Sequence, residues 1–129
     1  MILPVTLCMA AAAAIINIWL GLRIGRVRIS EKIEIGDGGN EALIRRMRAQ
    51  ANFIENTPLA LILVGVIEAA GRGGRWLAIV AALFIIGRVA HGIGMDGNFN
   101  AGRPVGVLTA MLASLGLAVV AVLIALGRM

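Results

Sequence analysis

Apolar residues fall into four long runs separated by short charged stretches: residues 2–22, 41–70, 76–93 and 104–126. About 20 apolar residues carry a helix across a bilayer, so each run predicts a membrane-spanning helix. Together they predict an all-α, integral membrane four-helix bundle forming one domain over residues 1–129. The second run is irregular. Arg45–Glu68 reads RRMRAQANFIENTPLALILVGVIE and passes from basic to apolar without a break. A helix of about 30 residues here would be near 45 Å long, against a hydrocarbon core of about 30 Å. Its first half must therefore project from the membrane or line a wet crevice. Arg45, Arg48, Asn52 and Glu55 recur at spacings of three, four and three, and at about 100° per residue they share an arc of about 80°. A polar stripe running into a membrane helix has to face other helices or a ligand rather than lipid. Pro58 predicts a kink just beyond the stripe.

The connections carry their own signals. Residues 23–40 read RIGRVRISEKIEIGDGGN and predict a first loop, in which the alternation of VRISEKIEI suggests a short strand or an extended segment. GDGG marks a turn, and Asn40 is placed to cap the next helix, with Glu41 in its first turn. Gly71–Arg75 predicts a tight turn, and residues 94–103 a second loop carrying Asp96. Pro4 suits a first helical turn, Asn17 an interhelix hydrogen bond, and Trp19 and Glu68 the membrane interface. Gly106, Ala110, Ala113 and Gly116 predict a tightly packed face on the last helix.

Composition agrees with a membrane protein. Sixty per cent of the 129 residues are hydrophobic and the mean hydropathy is +0.94, too apolar for a soluble domain of this size. The net charge of +5 sits in the connections and does not call for nucleic acid. Arg23, Arg26, Arg28, Lys32, Arg45, Arg46, Arg48 and Arg103 lie towards one side and Arg72, Arg75 and Arg128 towards the other. This bias predicts long loops in the cytoplasm and both termini outside, as for a bacterial inner-membrane protein. The start of the chain lacks a basic segment and reads as a retained span rather than a cleaved signal. The single cysteine, Cys8, has no disulfide partner, and no metal-ligand spacing is present.

Antiparallel spans bring Arg45, Arg48, Asn52, Glu55, Arg88, His91 and Arg103 to one end of the bundle. Singly, each has a structural reading: a buried ion pair for Glu55 with Arg48 or Arg88, a helix–helix hydrogen bond for His91, a positive-inside anchor for Arg103. As a set they carry more positive charge than Glu55 and Asp96 can pair. The excess calls for an anionic ligand, and a small peptide-like anion fits: arginines for carboxylates, Glu55 for an ammonium and Asn52 for an amide. The apolar surroundings would admit a lipophilic second substrate from the bilayer.

RAxxNxxE, with Arg48, Asn52 and Glu55, followed by NTPLAL, and GRVAHGIG at Gly87–Gly94, resemble the MAPEG family. These are the membrane-associated proteins in eicosanoid and glutathione metabolism, among them microsomal glutathione transferases, to which this bacterial-type chain is similar over essentially its whole length. The resemblance implies a homotrimer with glutathione as co-substrate, bound between subunits near the cytoplasmic face. Arg48, Asn52, Glu55 and His91 match glutathione-site positions, with Arg45 and Arg88 beside them. Arg28 falls near a loop arginine that holds a glutathione carboxylate, and Arg103 near the arginine that stabilises the thiolate. The chain departs from the eicosanoid enzymes in having no tyrosine: Met95 and Val107 stand near tyrosine positions, Ala51 at an arginine position and Pro104 where a serine can assist the thiol. These departures point away from prostaglandin or leukotriene synthesis.

The resulting expectation is a glutathione-dependent transferase or peroxidase acting on lipophilic electrophiles, with Arg103 as the catalytic cation. The alternative is a non-catalytic membrane protein whose arginines hold anionic lipid or a partner. Neither needs a metal. A proton-coupled transporter using Glu55 and His91 is disfavoured by four spans without repeats.

Overall fold

The computed structural model describes residues 1–129. Its four helices are α1 (Pro4–Glu31), α2 (Glu41–Ile67), α3 (Arg75–Gly94) and α4 (Gly102–Ala125), with a π-helical turn at Glu68–Arg72 and no strand. All four are long and apolar enough to cross a membrane. They run up and down in sequence, so the C-terminal ends of α1 and α3 and the N-terminal ends of α2 and α4 share one end, here called the basic end. The main packing partners are α3 with α4 and α1 with α2, and α2 also leans on α4.

The first helix differs from expectation. Arg23–Glu31 is helical rather than part of a loop, and VRISEKIEI forms no strand. The alternating run has no neighbouring strand to pair with, and a lone strand is not stable. Its Arg, Ile, Glu and Lys are all acceptable helix residues, and no proline interrupts them. The helix ends where Lys32 turns left-handed (φ 55°) and Ile33 N–H donates to the Arg28 carbonyl at 3.0 Å. The true loop, 32–40, is short and glycine-rich, with positive φ at Gly36, Gly38 and Gly39. Asn40 caps α2 as predicted, its Oδ1 accepting from Leu43 N–H at 3.0 Å.

At the other end α1 has neither an N-cap side chain nor an acidic residue in its first turn. Glu68 supplies both. Its carboxylate accepts from Val5 N–H (2.9 Å), Thr6 N–H (2.8 Å) and Thr6 Oγ1–H (2.7 Å). A carboxylate on free amides at a helix N-terminus is favourable both as a hydrogen-bond acceptor and against the helix dipole. Gly71 (φ 74°) then ends α2's last turn in a conformation that favours glycine. Pro58 lies on an exposed position inside α2, and the helix continues through it.

The core is thin. Met9, Ala60, Val64, Ile67, Leu77, Ala81, Phe84, Ala110 and Leu117 form the larger cluster. Ala13, Ile16, Leu20, Ala49 and Phe53 form a second one nearer the basic end. Only 24 of 129 residues are buried, so most apolar side chains face outward, as a bilayer or another subunit requires. On α4 the predicted small-residue face is partly right. Gly106 and Ala110 are buried, but a side chain at Gly116 would meet nothing within 4 Å. Trp19 packs inward, against Gly92 and under the Arg23 guanidinium, whose carbon lies 4.7 Å from the ring centre.

Candidate functional site

Three groups of the predicted residues occupy the basic end. The first is buried. Arg88, on α3, is 2% exposed; it donates through Nη1 to Asn52 Oδ1 at 2.5 Å and through Nη2 to the Gly106 carbonyl. Its guanidinium also lies over Phe84, 5.5 Å from the ring centre. Its Nε has no partner within the chain, and none of the chain's three ion pairs includes it. A buried cation without a carboxylate is costly unless an anion completes it. One turn further, buried His91 lies within reach of the charges of Arg88 and Arg103. A side chain at Gly106 would come within 2.5 Å of His91 Cβ and 2.6 Å of the Gly87 carbonyl, so glycine lets α3 and α4 approach closely enough to set Arg88 and His91 against α4.

The second group opens outward. Arg103, exposed at the start of α4, lines two adjoining spaces. One is a polar cleft of about 310 Å³ formed by Arg45, Gly94, Met95, Gly97, Asn100 and Arg103. The other is a larger trough of about 710 Å³ along α4, formed by Asn100, Arg103, Pro104, Val107, Leu108 and Met111. Arg45 is also paired with Glu41 at 2.6 Å. Arg103 thus stands where a polar cleft meets an apolar one.

The third group is Arg48 and Glu55. Both are exposed on the same face of α2, and neither belongs to an ion pair. Arg28 stands apart from all three. Its Nη1 donates to the carbonyls of Ile33 (3.4 Å), Glu34 (3.5 Å) and Gly36 (2.8 Å), so it holds the first loop. The structure therefore brings Asn52, Arg88 and His91 together, and Arg45 with Arg103. It leaves Arg48 and Glu55 facing away from the chain's own core.

A further polar knot was not predicted. Buried Arg23 pairs with Asp96 and donates to the Gly92 carbonyl at 3.1 Å. Arg46 pairs with the other oxygen of Asp96 at 3.6 Å and donates to the Arg23 carbonyl at 2.9 Å. The sequence carries one hint, Trp19 and Arg23 a helical turn apart, which suits an arginine over an aromatic ring. Asp96 is consequently engaged by Arg23 and Arg46, and with Glu41, Arg45 and Asn98 it lines a further polar space of about 440 Å³.

Comparison with curated proteins and with solved structures returned no match. Comparison with protein families is decisive: the model of the MAPEG family matches residues 6–123, and this chain belongs to that family of membrane proteins.

Proposed function

We propose that the protein is a membrane-bound, glutathione-dependent transferase or peroxidase acting on lipophilic electrophiles, and that it works as a homotrimer. The observation that carries this reading is the position of Arg103 between a polar cleft and an apolar trough. That is where a charged thiol peptide and a lipid-soluble substrate would meet. The charge balance suits glutathione, which has two carboxylates and one ammonium. Arg45, Arg48 and Arg88 offer the positive side and Glu55 the negative one, with Asn52 for an amide and His91 for a hydrogen bond. Arg28 would join by exchanging its loop carbonyls for a carboxylate. In this arrangement the basic end is cytoplasmic in a bacterial inner membrane and both termini lie outside.

A free thiol with a pKa of about 9 is mostly protonated at neutral pH, and a nearby cation shifts it towards thiolate. Arg103 supplies that cation and holds it at the mouth of the apolar trough. The thiolate then attacks an electrophilic carbon, forming a C–S bond as the leaving group departs with its electron pair. With a hydroperoxide it attacks the terminal oxygen instead: the O–O bond breaks, and the alkoxide departs and takes up a proton to give the alcohol. A second thiol converts the resulting sulfenic acid to disulfide and water. No protein nucleophile is needed. Binding that orients the thiol against the substrate supplies much of the acceleration.

The test is thermal unfolding of the detergent-solubilised protein with and without glutathione, alongside conjugation of a generic aromatic electrophile. Stabilisation by glutathione that disappears in Glu55→Gln and Arg48→Ala supports the reading. Stabilisation by anionic phospholipid alone, with no conjugation, favours a lipid-holding protein instead.

A further inference from the structure

Asp96 sits in the connection between α3 and α4, two residues beyond Gly94. Its two carboxylate oxygens are taken by different helices: Oδ2 by Arg23 of α1 and Oδ1 by Arg46 of α2. Arg23 also grips the last turn of α3, at the Gly92 carbonyl. Both partners are themselves held. Arg23 is 7% exposed and lies against Trp19, and Arg46 is anchored on the Arg23 carbonyl. The grips at Gly92 and Asp96 flank Gly94, and Gly94 is where the α4 backbone rests. A side chain there would collide with the Arg103 amide nitrogen and with Gly102. Any shift of residues 92–96 therefore passes directly to the backbone of Arg103.

We infer that the Arg23–Asp96–Arg46 knot is a tether that positions Arg103 and the polar cleft, making Asp96 a positioning residue for the anionic thiol. The inference rests on the proposed function for its link to the thiol, though not for the tether itself. The knot has a second effect. It holds the Asp96 carboxylate against α1 and α2, where two guanidinium groups neutralise it. Arg103 is left without an acid partner, while Arg45 is paired with Glu41.

The sign of one change separates a tether from a plain charge. If Asp96 acted only through its field, Asp96→Asn would remove a negative charge beside a cationic cleft and strengthen anion binding. A tether predicts the reverse. Displacement of a catalytic group by about 1 Å can cost on the order of 100-fold in rate. Asp96→Asn in the full-length protein should therefore bind glutathione about tenfold or more weakly and lose kcat as well. Arg46→Gln, which removes the longer and less buried pair, should do the same to a smaller degree and covers the case in which Asp96→Asn does not fold. Asp96→Glu should recover part of the loss.

Hydrogen–deuterium exchange over residues 92–103, measured without glutathione, reads the tether alone. Faster exchange there in Asp96→Asn or Arg46→Gln, with weaker glutathione binding, supports the inference. Unchanged exchange, or tighter glutathione binding, overturns it. Should the unaltered protein bind no glutathione, the proposed function falls, while the exchange result still decides the tether.

Discussion

Arg103 and Gly106 lie three residues apart on α4 and do different work. Arg103 is exposed and makes no ion pair, so its removal should cost little stability. In the proposed reaction it stabilises a developing or existing thiolate. Removing one such preorganised donor typically lowers turnover by about 100- to 1,000-fold. Arg103→Ala should therefore lower kcat for conjugation by at least about 100-fold, with a near-native unfolding temperature. Retained turnover in that variant would move the thiolate to another cation. Gly106 is the opposite case. An added methyl would press on His91 Cβ and the Gly87 carbonyl, and overpacking a tight contact costs about 1–3 kcal/mol. Gly106→Ala should unfold at lower temperature and disturb His91. Gly116→Ala, in open space, should do neither and serves as the control. Both glycines look alike in the sequence. Only the way α3 and α4 meet distinguishes them.

At the scale of elements, local chemistry is readable and long-range chemistry is not. Asn40 as a cap and GDGG as a turn follow from residues within a few positions of one another, and both are found. The continuation of α1 to Glu31 is missed because the alternating pattern of VRISEKIEI is ambiguous until one knows that no strand lies beside it. The cap of α1 is missed for a stronger reason: its carboxylate comes from Glu68, 62 residues away from Thr6. The knot of Arg23 and Asp96 is hidden in the same way. The Glu68 cap is directly testable. Glu68→Ala should lower the unfolding temperature and speed amide exchange at Val5 and Thr6 specifically. Glu68→Gln, which can still accept hydrogen bonds but has lost the charge opposing the helix dipole, should fall between. Equal behaviour of Ala and Glu at this position, with unchanged exchange at α1, would show that the cap contributes nothing.

For the whole molecule, the bundle itself is legible, because four spans separated by charged connections leave few other arrangements. The site is legible only as a set of residues, since the single subunit divides them among a buried group, an open cleft and an outward face. That outward face points to assembly. Glu55 lies 12 residues before Ile67, or about 18 Å along the helix; with Ile67 at the far boundary of a hydrocarbon core of about 30 Å, it falls inside that core. It is exposed and unpaired in the subunit. An ionised carboxylate facing lipid at that depth is unfavourable by a few kcal/mol or more, so ionisable groups in spans face protein or water. A second copy packed over the Arg48–Glu55 face removes the conflict and brings its own cations to a site that one copy leaves divided. In the proposed homotrimer, the protein in mild detergent should have the mass of three 13.5 kDa chains. In such a trimer, Glu55→Leu should abolish stabilisation by glutathione, because the carboxylate faces a ligand. In a lipid-facing monomer the same change should raise the unfolding temperature, because it removes an acid from hydrocarbon. A monomeric mass together with a stabilising Glu55→Leu would overturn the assembly and, with it, the placement of the thiol between subunits.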